Sequence, residues 1–182
     1  MSSPGHTQPP SSRENLFTPS DILFLLRENH WLSADPSPEH LAFCDRAAAL
    51  LGPHATDLRS LTALLQLVFD FNAAQTLQSV EAHAVLARHG ARNVIRQLAL
   101  FLLDPAPFNS ERFKDLVTIL KETLPLGSRD LFHPIRLALA GRSGEGELDR
   151  VILLLDDAAA LPFHTPVKSV RTRILEFCSA LD

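Results

Sequence analysis

The chain has 182 residues, 46% of them hydrophobic, a formal net charge of −4 and two cysteines, Cys44 and Cys178, far apart. That length holds one domain or two small ones with a real core, and the acidic balance argues against indiscriminate binding of nucleic acid such as DNA, which rests on Lys and Arg neutralising phosphates. Two isolated cysteines exclude a disulfide or zinc framework and point to a reducing cytoplasm; no apolar run approaches the ~20 residues that span a bilayer, and the polar start MSSPGHTQPPSSR lacks the apolar core of a signal peptide.

Residues 1–14 read as a Ser/Pro/Gly-rich disordered tail. Leucine (33) and alanine (21) far outnumber valine (8) and isoleucine (6), a balance that predicts an all-α fold. Thr18-Pro19 and Ser37-Pro38 each place a capping hydroxyl before a proline at the first helical position, and Asp21 completes a variant capping box for the first helix. The second helix should stop at Gly52-Pro53. Further helices are predicted near 57–69, 79–88, 91–103, 110–123, 133–140 and 147–160, with Asp104-Pro105-Ala106-Pro107 as a breaker. A last helix should begin at Thr165-Pro166, its apolar stripe written by Val167, Val170, Ile174, Phe177 and Leu181. The sum is a helical bundle or cage of about eight or nine helices in two subdomains, 15–76 and 77–182.

The most pointed segment is SRDLFHPIRLALAGRSGEGEL, Ser128 to Leu148. Pro134 suits a first helical turn and Gly141 the position just past a helix end. Between them Arg136 is the only charge in an apolar turn and a half, so it has to find partners. The loop from Gly141 to Gly146 carries three glycines, allowing its backbone to lie close against a ligand, and Leu148 opens another apolar-patterned helix.

These residues resemble the closing motif of the anticodon-binding region of bacterial glutamyl-tRNA synthetases, K-G-x-x-L-F-x-P-h-R-h-A-L-T-G-x-x-x-G-P-x-L (h apolar). Leu131, Phe132, Pro134, Arg136, Ala138, Leu139, Gly141 and Leu148 match it. Ala140 stands where that family usually has threonine, and Glu145-Gly146 where it usually has glycine-proline. Asp57 to Phe71 is similar to the family's helix ending in paired aromatics, and Phe108 to Leu124 to the helix preceding the motif, so the resemblance spans most of residues 55–155. It implies two helical subdomains and an RNA-facing surface formed or supported by Arg136, Arg142, Glu145, Gly146 and Leu148. The implied partners are tRNA, of the tRNA-Glu type, and a synthetase catalytic domain.

The catalytic half of such an enzyme is not written in this sequence. There is no HIGH-like or KMSKS-like signature, no strand–helix alternation and no phosphate-cradling glycine loop, so no ATP-handling residue or other catalytic residue is assigned. Eight histidines scatter without the spacing of a ligand pair; no metal and no cofactor are expected. Both cysteines read as buried inert thiols. Residues 82–103 lack Asp and Glu, and there Arg92 and Arg96 share the face opposite Val94, Ile95, Leu98 and Leu102; they suit phosphate contacts or an ordinary solvated surface. Lys168, Arg171 and Arg173 are spread around the last helix and read as solvated surface. The expected function is non-catalytic tRNA binding that assists or completes a glutamyl-tRNA synthetase in trans, as a free-standing protein or one piece of a split ligase. The alternative is a protein-interaction module that kept the fold and lost RNA recognition.

Overall fold

The computed structural model describes residues 14–182; the expected tail falls almost wholly outside them. Every regular element among the described residues is helical, nine of them seven residues or longer. In chain order they are α1 (Pro19–Glu28), α2 (Pro38–Leu51), α3 (Leu58–Phe69), the short α4 (Ala73–Leu77), α5 (Val80–Leu86), α6 (Ala91–Leu102), α7 (Ser110–Thr123), α8 (Ser128–Ala140), α9 (Gly146–Ile152), the short α10 (Leu155–Ala159) and α11 (Val170–Leu181). One contiguous buried cluster runs from Ile22 to Phe177 and draws on helices from both ends of the chain.

Local signals set several boundaries. Thr18 accepts from the Asp21 amide while the Asp21 carboxylate accepts from Thr18, a reciprocal capping box. At α2 the same box is made by Ser37 and, unusually, His40, whose Nδ1 accepts from the Ser37 amide. The α2 stop at Gly52 occurs for a reason other than a left-handed turn. Gly52 keeps φ −52°, and the Asn15 side chain occupies the space where a Cβ would stand while donating to the Ala48 carbonyl. The breaker after α6 is held by Arg112, whose guanidinium donates to the carbonyls of Phe101, Asp104 and Ala106.

Several expectations are corrected by tertiary structure. The motif helix α8 begins at Ser128 rather than 133, so Pro134 lies inside it. An internal proline costs ~3 kcal/mol, and α8 bears it because His133 to Ala140 is buried without interruption against α6, α9 and α11. The predicted 147–160 helix is broken at Leu153-Leu154 into α9 and α10. The element α4, capped by Asn72, was not predicted. Finally, α11 starts at Val170, not at Thr165-Pro166: Ser169 caps it, the Val170 amide donates to Asp156, and the Lys168 carbonyl is drawn off by Arg173.

Arg173 itself is the largest correction. Expected on the surface, its side chain is fully buried. It donates to the carbonyls of Leu67 (3.0 Å) and Val68 (2.5 Å) at the end of α3, of Leu139 (3.0 Å) at the end of α8, and of Lys168 (3.0 Å). The last carbonyls of a helix have no partner within it and carry its negative dipole end, so one guanidinium satisfies two helix ends and is solvated by them. The Phe71 ring lies 4.7 Å from the guanidinium carbon. Burial lowers the Arg173 pKa to about 9, partly opposed by Glu176, which leaves it charged at neutral pH.

Candidate nucleic-acid interface

The C-terminal half of α8 points its last turn toward the loop that leads into α9. Gly141 closes the helix with φ 78°, in the left-handed region where a Cβ is strained, as expected for this position. The loop is then tied down from two sides. Arg136 spans it from below: Nε donates to Asp149 Oδ1 (2.8 Å), Nη2 to Asp149 Oδ2 (2.9 Å) and Nη1 to the Gly144 carbonyl (3.0 Å). This fork places both carboxylate oxygens and a loop carbonyl on one planar group. The Phe132 ring lies 4.9 Å from the Arg136 guanidinium carbon. From the side, Glu81 of α5 accepts from the Ser143 amide (2.8 Å) and hydroxyl (2.7 Å). Desolvation opposes the charged form of Glu81, but Ser143, with Arg142 and His133 nearby, outweighs it and holds the carboxyl below its usual range.

A second brace lies at the middle of α8, where Arg88 Nη1 donates to His133 Nδ1 (2.8 Å). Burial, followed by the charges of Arg88, Arg129 and Arg136, lowers the His133 pKa, and only Glu145 works the other way. A lone pair at Nδ1 is what Arg88 needs, so the contact and the electrostatics both select the neutral ring.

The seven residues singled out in the sequence separate into three groups. Arg136 is 8% exposed and fully committed to Asp149 and Gly144, and Leu148 is 3% exposed in the core. Both support the loop from beneath instead of presenting a surface. Arg142, Glu145 and Gly146 stand on its exposed rim. A Cβ on Gly146 would meet open space, whereas one on Gly144 would press on Glu147 and Leu148 at 3.1 Å. Arg92 and Arg96 are exposed on α6, where they line a groove with α11 that includes no residue of the loop.

Asp149, Glu81, Arg88 and Arg129 complete the site and were not assigned from the sequence. The demand for an Arg136 partner was visible, and three carboxylates follow within 13 positions, but spacing alone does not choose Asp149 over Glu145 or Glu147. Glu81 lies on α5 and Arg88 in the turn after it, and neither carries a local signal tying it to the loop. Arg88, Arg129 and Arg142 make no ion pair among the described residues; Arg142 stands on the loop, near Glu81, whereas Arg88 and Arg129 act on His133 of α8. No group of metal-ligating side chains is assembled among those residues, and none of their helices is long and apolar enough to cross a membrane. Cys44 is fully buried, and burial with Asp45 pushes its thiol up to about 11.

Comparison with known proteins meets this geometry. The family model for the anticodon binding domain matches residues 24–160, well over half of the chain. A glutamate–tRNA ligase of Carboxydothermus hydrogenoformans is 34% identical over 80 residues, which cover 44% of this chain and 17% of the ligase. The chain thus corresponds to less than a fifth of that relative's length. No solved structure matches. All-helical among the described residues, and matched by the family model over a region that takes in the braced α8–α9 loop, the chain belongs to the anticodon-binding-domain family.

Proposed function

We propose that the chain binds tRNA through the rim of the α8–α9 loop and does so without chemistry of its own, assisting or completing a glutamate–tRNA ligase in trans. The carrying observation is the Arg136–Asp149–Gly144 clamp. It uses a nearly buried ion pair to hold an exposed, glycine-containing loop in one shape, with Arg142 exposed on the rim and in no ion pair among the described residues. A pre-shaped loop avoids the ordering cost of a flexible one on binding. An arginine there supplies sequence-independent attraction to phosphates, and the rim formed by Arg142, Glu145 and Gly146 is where base edges would be met. Glu145 is an acceptor where the resembled family usually has glycine, so it favours a base that offers an amino donor at that place. The tRNA-Glu type is supported by the ligase relative alone.

Electrophoretic retention of total tRNA, followed by sequencing of the retained fraction, tests this reading. Enrichment of one isoacceptor group is expected. Absence of retention even at low salt, where phosphate contacts are strongest, defeats it. Adding the chain to a ligase catalytic domain and measuring charging of the retained tRNA tests the trans role separately.

A further inference from the structure

The groove between α6 and α11 has no part in the loop site and has a chemistry of its own. Arg92, Arg96 and Leu100 of α6 and its C-cap residue Leu103 recur at intervals of four, four and three, so they form one stripe about 16 Å long. The stripe changes character halfway. Its first half is two exposed arginines without a carboxylate in ion-pair reach among the described residues; its second half is Leu100 and Leu103, 57% and 50% exposed. Across from it Cys178 and Leu181 of α11 form the second wall of a cavity of about 280 Å³. Asp182 is the single acidic side chain in the lining, against the two arginines of the stripe.

Phosphate binding accounts for the arginines but not for the leucines. Unpaired bases are usually held on aromatic faces or arginine planes, and no aromatic side chain lines this groove. Two cations one helical turn apart, followed by two large apolar side chains and an apolar opposite wall, complement an amphipathic helix carrying carboxylates one turn apart at one end and apolar residues at the other. That is the helix-in-groove mode of recognition, with the charges choosing the direction in which the helix lies. We infer that the α6–α11 groove docks a protein partner through an acidic amphipathic helical segment. The α11 wall lies beyond the region matched by the family model. This surface is therefore built in part from residues outside the shared domain.

The test uses the full chain and a fluorescein-labelled designed helical peptide of about four turns, with glutamates one turn apart at one end and leucines at the other. A second peptide has lysines in place of the glutamates. Fluorescence anisotropy should show saturable binding of the glutamate peptide. The double variant Arg92→Glu/Arg96→Glu should weaken that binding about tenfold, as two exposed ion pairs allow, and should gain affinity for the lysine peptide. Leu100→Ser should weaken both combinations. All these positions are exposed, so circular dichroism should be unchanged. Equal binding of the two peptides, or no saturable binding of either, overturns the inference. So does a loss of tRNA retention in Arg92→Ala/Arg96→Ala without any peptide binding, which would make the stripe a phosphate contact.

Discussion

Replacing Asp149 by asparagine separates a loop clamp from a direct RNA contact. The change keeps the shape of the side chain but removes its charge, leaving Arg136 with the Gly144 carbonyl and one amide oxygen in a place where the arginine side chain is only 10% exposed. Breaking a fully buried pair by removing one partner costs 3–5 kcal/mol. Asp149 is 20% exposed and water can reach the site, so a smaller cost, about 2–3 kcal/mol, is expected. For a chain of this size that is a fall of roughly 4–12 °C in Tm. Urea unfolding followed by circular dichroism reads the stability term, and a salt series of tRNA binding reads the other. If Arg136 acts only by holding the loop, affinity should drop while the slope of log K against log salt stays unchanged, because no phosphate contact has been lost. A stability change below about 0.5 kcal/mol would show that the clamp does not hold. A slope reduced by about 0.7–0.9 would show that the clamped loop itself presents a phosphate contact, since Asp149→Asn leaves the Arg136 cation in place.

Arg142→Ala should behave in the opposite way, lowering that salt slope by about 0.7–0.9 with stability within about 0.5 kcal/mol of the parent, whereas Glu145→Ala should leave the slope intact and erode discrimination among tRNAs in a competition assay. Arg173→Met should cost at least about 3 kcal/mol in urea unfolding, since it orphans three helix-end carbonyls; an effect under about 1 kcal/mol would mean water replaces the guanidinium. His133 has its folded pKa below the ordinary 6.5, so between those two values the unfolded chain binds the extra proton. Stability is therefore full above 6.5 and is lost as the pH falls through the folded value. His133→Asn should flatten that part of the profile when unfolding free energies near pH 7.5 and near pH 5.5 are compared, and an unchanged slope would remove His133 as the cause.

Features coded by neighbours in sequence were legible, and those coded by distant partners were not. Thr18 and Ser37 announce α1 and α2 because their hydroxyls act three residues away, and 110–123 is recovered at both ends because the Asn109 cap and the apolar period agree. Thr165-Pro166 carries the same signature as those caps and starts nothing. Asp156 and Arg173, reaching across the fold, claim the backbone groups that fix where α11 begins. Pro134 misled for a related reason: the burial that carries a helix through proline comes from three other helices. At the site, the eight motif positions identified the loop, and the isolation of Arg136 in an apolar run showed that it needed partners. That those partners would turn the arginine inward, and that Glu81 would reach the loop from 62 residues away, depends on packing that no local pattern records. Arg92 and Arg96 were correctly placed on an exposed face, but their continuation into Leu100 and Leu103 acquires meaning only when α11 supplies the opposite wall.

The four carbonyls held by Arg173 bear on where this domain can be cut. The region shared with the family model ends at residue 160, yet the group that closes the ends of α3 and α8 comes from residue 173. Trimming the chain to the shared region would keep every motif residue and remove the cation on which two of its helices terminate. The unit defined by resemblance is thus smaller than the unit that is physically closed. Transplanting the domain, or fusing it to a catalytic partner, calls for a junction after α11, with the last helix treated as the keystone of the fold.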